Sequence, residues 1–141
     1  MDKLTLAQAN SLIHGALAAA RQKSYRAMAV VVLDEAGHLK CAQREDGASM
    51  FRIDIATGKA WAAAAMGASS RQLGERARDN PIFYSSLPAT AGGKFLAQTG
   101  AVLIKNAAGE VMGAVGASGG TGDEDEAICM AGISVAGLRY A

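Results

Sequence analysis

The chain has 141 residues; half are apolar, only 5% are aromatic, and the formal net charge is +1. That length suits a single domain over residues 1–141 whose core is built from Ala, Val, Leu, Ile and Met. The dispersed Lys and Arg, without interleaved aromatics, disfavour nucleic-acid binding. No window reaches 18 uninterrupted apolar residues, so no membrane span is expected. The first residues lack a basic segment followed by an apolar one, so the protein is expected to be cytoplasmic. Cys41 and Cys129 lack CxxC spacing and are expected as reduced thiols.

Thr5-Leu-Ala-Gln8 is a capping-box pattern. Leu6, Ala9, Ile13, Ala16, Leu17 and Ala20 then recur at helical spacing, which predicts a first helix over residues 5–23. The β-branched run 27–33, the turn Asp34-Glu-Ala-Gly37 and the segment 38–43 predict an antiparallel hairpin. Arg44-Glu-Asp-Gly-Ala-Ser49 reads as a loop, with Ser49 capping a second helix over 50–66. A shorter helix is expected over 70–78. Pro81 and Pro88 bracket a segment expected to be irregular and functional or interfacial.

Residues 101–104 and 111–117 flank Asn106-Ala-Ala-Gly109, a second hairpin signal. The second strand runs into Gly113-Ala-Val-Gly-Ala-Ser-Gly-Gly-Thr-Gly122 and then the acids Asp123 to Glu126, which open a final apolar helix. Glycines in such a junction allow φ > 0 or close approach of a ligand, and unpaired helix N–H groups collect there. No Lys follows as a Walker loop requires, and the junction comes too late for a dinucleotide fingerprint. The elements describe an α+β fold, an antiparallel sheet with helices packed on it.

The chain resembles the GlcG/HbpS-like family, found also as the C-terminal domain of PduO-type proteins. The resemblance is carried by Leu4-Thr-Leu-Ala-Gln-Ala9, Val30-Val-Val-Leu-Asp-Glu-Ala-Gly-His-Leu39 and Arg44-Glu-Asp-Gly-Ala48. It continues through Ile53-Asp-Ile-Ala-Thr-Gly-Lys-Ala60, Gly113-Ala-Val-Gly-Ala-Ser-Gly-Gly120, Asp125-Glu126 and Ala131-Gly132, in the family's order. It implies a profilin-like sandwich, a five-stranded antiparallel sheet with helices on its faces. It also implies homo-oligomers, dimers or larger and often rings or octamers. Some members bind haem, and haem degradation is attributed to the family; others accompany catabolic enzymes.

Two functions follow as expectations. The first is binding of a small anionic or tetrapyrrole ligand, with haem the leading cofactor and no other cofactor expected. The alternative is a cofactor-independent catabolic enzyme acting on a small carboxylate or aromatic acid by acid/base chemistry. In the first, Arg44, beside Asp46, holds a carboxylate or propionate through its planar fork. The bland reading is an Arg44–Asp46 pair fixing the loop. Lys59 is an anion anchor or base, or else a snorkelling surface lysine. Gly116, Ser118, Gly119 and Gly120 shape the pocket. Asp125 and Glu126 serve as acid and base if neighbouring charge raises one pKa, or else complement the helix dipole. His14, on the first helix, is the candidate haem axial ligand suggested by the resemblance, against a solvent-edge histidine; His38 is structural. Arg44, Asp46, Lys59 and Gly119–Gly120 are expected to converge, with Asp125 or Glu126 at the rim.

Overall fold

The computed structural model describes residues 2–141. Helix α1 (Leu6–Gln22) is followed by strands β1 (Ala29–Asp34) and β2 (Leu39–Arg44) and by helices α2 (Phe51–Met66), α3 (Ser70–Asp79) and α4 (Pro81–Thr90). Strands β3 (Ala101–Lys105) and β4 (Val111–Ser118), helix α5 (Gly122–Val135) and a short β5 (Arg139–Tyr140) complete the chain. The five strands form one antiparallel sheet in the order β2-β1-β4-β3-β5. This is the α+β, profilin-like sandwich expected, with helices on both faces.

Alternation along the strands divides the core. Val30, Val32, Val102, Ile104, Val115 and Ala117 face α1 and α5, where they meet Leu12, Ile13, Ile128 and Ile133. Val31, Leu33, Ala101, Leu103 and Ala114 face the alanine stripe Ala56, Ala60 and Ala63 of α2. Each fully buried Val, Leu or Ile contributes about 1.5–3 kcal/mol. Small residues let α2 sit directly on the sheet. A Cβ on Gly116 would lie 2.2 Å from Ala56 O and 3.1 Å from Ala60 N, so only glycine permits this contact.

The Thr5 cap of α1 forms the full capping box with Gln8. Two local expectations need correction. Helix α2 is not capped by the Ser49 side chain: its N-cap is Met50, in helical conformation and without a side-chain cap bond. Ser49 contributes its carbonyl instead, accepting from Arg52 N–H. The 81–88 segment is the helix α4. Pro81 occupies the first turn, where a missing N–H costs nothing, and Pro88 falls near the end. Tyr84 anchors this helix, packed near Leu73 and 6.3 Å ring-to-ring from Phe95. Burial of that ring outweighs the poor local helix signal. The two-residue β5 carries no period of its own in the sequence.

Candidate functional site

Strand register brings the Gly-rich turn and the Arg44 loop to the same end of the sheet. Ala29 of β1 faces Arg44 on one side and Ser118 on the other. The three therefore share one level and the α2 face, with Arg44 and Ser118 about 10 Å apart across two strand spacings. Beyond Ser118 the chain enters Gly119, whose φ of +148° favours glycine; a Cβ there would lie 2.2 Å from Ala27 O.

The turn is supported from inside. Lys59 and Asp125 are 5% and 2% exposed and meet at 3.0 Å. Lys59 Nζ also donates to Ala117 O at 3.0 Å, and Asp125 Oδ1 accepts the Gly120 N–H at 2.9 Å. A charge that deeply buried persists because it is paired and hydrogen-bonded. Lys59 is thus neither a snorkelling surface residue nor open to a ligand, and Asp125 is bound to it. Gly116 is covered by α2, and buried Ser118 accepts from Arg52 Nη1 at 3.2 Å. Lys59, Asp125, Gly116 and Ser118 are thus taken up by internal contacts around the turn.

Arg44 and Asp46 stay near the surface. They line an open pocket of about 460 Å³ with Leu17, Arg21, Ala27, Gln43 and Glu45. Arg44 Nη1 donates to Ala48 O at 2.6 Å, and no Arg44–Asp46 ion pair occurs, so the loop is fixed through backbone rather than through that pair. The adjoining pocket, about 410 Å³, contains Gly119 and shares Ala27 as a wall. The convergence expected for Arg44, Asp46 and Gly119 thus takes the form of two neighbouring clefts.

The acidic helix start divides by role. Glu124 completes a capping box with Thr121. Glu126 accepts from Arg71 Nε at 3.0 Å and from Arg71 Nη2 at 2.9 Å, and Asp123 binds the same guanidinium. These carboxylates hold that guanidinium well above the usual arginine range. Glu126 therefore joins α5 to α3 and is not at the rim of the Gly119 cleft. Asp125 is likewise beneath that rim.

His14 stands apart from all of these. It is exposed on α1, in an open pocket of about 350 Å³ with Asn10, Ser11 and Val135, and has no hydrogen-bond partner among the described residues. His14 lines neither the Arg44 pocket nor the Gly119 cleft, and Lys59 is buried against Asp125, so the structure does not bring His14 together with them. His38 borders the first hairpin turn, as expected, its N–H donating to Asp34 Oδ1. Among the described residues, no three His, Cys, Asp or Glu side chains gather in a metal-binding group. No helix of the described chain is long and apolar enough to cross a membrane.

Sequence reasoning missed Arg26, Arg52 and Arg71. Each is an ordinary surface arginine by spacing; only contacts 50 or more residues away give Arg52 and Arg71 their partners. It also missed Gly100, where a Cβ would come 2.7 Å from Lys59 Nζ.

The model of a family described as "Haem degrading protein HbpS-like" matches residues 4–134. Among solved structures, a PduOC–haem complex superposes with a TM-score of 0.87 at 23% identity, over 98% of both chains. The Klebsiella pneumoniae protein ORFY superposes with a TM-score of 0.87 at 24% identity, over 97% of this chain and 93% of that one. A double mutant of Streptomyces reticuli HbpS gives 0.82 at 28% identity, over 96% and 88%. No curated protein matches the chain by sequence.

Proposed function

This chain belongs to the HbpS-like family of haem-degrading proteins, and from that premise we propose that it binds haem or a closely related tetrapyrrole, as a cytoplasmic homo-oligomer. The solved haem complex of a protein with the same fold supports the reading. The observation that carries it is the exposed, unpartnered imidazole of His14 beside Val135, an apolar side chain 65% exposed on α5.

The residues there fit the group by chemistry. A neutral imidazole is a common haem-iron ligand. Val135 offers an apolar contact for the ring. Ser11 keeps its hydroxyl, and Asn10, whose Oδ1 accepts the Cys41 thiol at 3.0 Å, keeps its amide N–H groups for propionate oxygens. When bound, haem supplies a redox-active iron; the chain's part is to ligate it and to orient the ring and propionates. The pocket is open, and a second copy would exclude water from it. Leu6, 54% exposed on α1, and Val135 supply apolar surface on that face suited to such association.

The acid/base alternative is not favoured. Asp125 is committed to Lys59 and the Gly120 N–H, and Glu126 to Arg71. Neither carboxylate stands free to move a proton.

Titration with haemin tests the reading. A saturable Soret shift is expected for the wild type, with affinity about tenfold weaker in His14→Ala. Its absence at micromolar wild-type protein overturns haem binding. An unchanged His14→Ala titration overturns the role of His14 alone. Following the Soret band with a reductant present reads out degradation.

A further inference from the structure

We infer that the cleft between Arg26, the 47–49 loop, Arg52 at the start of α2 and Gly119 is a second binding site, for a small oxyanion bearing a carboxylate or phosphate group. It is independent of the haem reading, because His14 lies in a different pocket.

The cleft has a volume of about 410 Å³, and Arg26 and Arg52 are its only charged lining residues. Neither forms an ion pair with any carboxylate among the described residues. Arg52 is half-buried, and its single side-chain bond, to the buried Ser118 hydroxyl, orients the guanidinium while leaving most of its donors unused. A guanidinium presents five N–H donors in a fixed fork that matches carboxylate and phosphate oxygens. Two such forks facing one cleft repel each other unless an anion lies between them.

Nearby carboxylates do not fill that role. Glu45 is held by Arg21 at 2.9 Å and accepts the Met28 N–H. Asp46 lines the neighbouring Arg44 pocket. Glu124 lines a neighbouring pocket with Arg26 but forms no ion pair with it, its Oε1 accepting the Thr121 N–H. The start of α2 lies beside the cleft, but its Arg52 N–H already donates to Ser49 O, so the site rests on the two guanidiniums. Ser49 contributes an exposed hydroxyl, and Ala27 and Ala48 leave room for a short carbon skeleton.

The test is a thermal-shift titration of the haem-free protein with succinate and, separately, inorganic phosphate, against sodium chloride at matched ionic strength. A saturable rise in Tm with at least one oxyanion is expected. A phosphate-only response assigns a phosphate ligand, and a succinate-only response a carboxylate. Arg26→Gln and Arg52→Gln are each expected to weaken the response about tenfold, whereas Arg78→Gln, exposed on α3, leaves it unchanged. No saturable response to either anion, or a full response in either cleft variant, overturns the site. Should Arg52→Gln fail to fold, Arg26→Gln decides alone, since Arg26 is exposed. Arg26→Gln is expected to bind haemin as the wild type does. Loss of haemin binding there would make the cleft part of the haem seat and overturn it as a separate site.

Discussion

Lys59 Nζ and Asp125 Oδ2 meet at 3.0 Å in the interior, joining α2 on one face of the sheet to α5 on the other. Gly100, with φ of +133°, leaves the space this contact occupies. Through Asp125 Oδ1 the pair also fixes the Gly120 N–H. Removing either partner leaves an uncompensated buried charge. Lys59→Ala and Asp125→Ala are each expected to lose about 3–5 kcal/mol in urea unfolding. The double variant Lys59→Ala/Asp125→Ala is expected to lose far less than the sum of the two single changes. Additive losses would show that the two residues act separately.

Gly116→Ala places a methyl group against the backbone of α2 rather than against a yielding side chain. The expected cost is about 1–3 kcal/mol or more, as for other overpacked cores. A melting temperature equal to that of wild type would show that α2 can lift away from β4 freely.

Thr121 caps α5 by accepting the Glu124 N–H at its side-chain oxygen, and its own N–H donates in return to Glu124 Oε1. Thr121→Ala is expected to cost about 1 kcal/mol, and Thr121→Ser much less. Equal losses in the two variants would place the stabilisation in the threonine methyl rather than the hydroxyl.

Burial, reinforced by the nearby Asp125 carboxylate, pushes the Cys129 thiol well above its ordinary pKa. The folded state therefore keeps this proton after the unfolded chain has lost it. Below the unfolded thiol pKa of about 8.5 the group has no effect; above it, stability falls as pH rises. Unfolding measured from pH 8 to 10 is expected to show that decline, and Cys129→Ala, though less stable throughout, to lose the thiol's share of it. An identical alkaline slope in both proteins would assign the decline to other groups. Cys129 is also expected to resist alkylation until the protein unfolds, with half-buried Cys41 reacting first.

Assembly is expected at micromolar concentration, as a dimer or larger. Ile82→Asp, on the exposed side of α4, is expected to shift sedimentation toward the monomer without unfolding the chain. A wild-type monomer would remove the oligomer from the proposed function.

The Thr5 cap, both hairpins and the antiparallel α+β plan were legible in the sequence because each depends on residues within a few positions of one another. Thr5 needs only Gln8, and a Gly109 turn needs only its flanking strands. The length of β5, the helix at 81–90 and the partners of Lys59, Asp125, Arg52 and Arg71 were settled by contacts remote in sequence. Lys59 and Asp125 lie 66 positions apart, and no local rule separates a buried lysine paired with a carboxylate from one free to hold a ligand. The difference is desolvation, which depends on what the rest of the chain packs around the charge. For the same reason Gly116 reads as a residue that admits a ligand and turns out to admit a helix, and Arg52 reads as an ordinary helix-surface arginine until Ser118, from the far end of β4, comes to meet it.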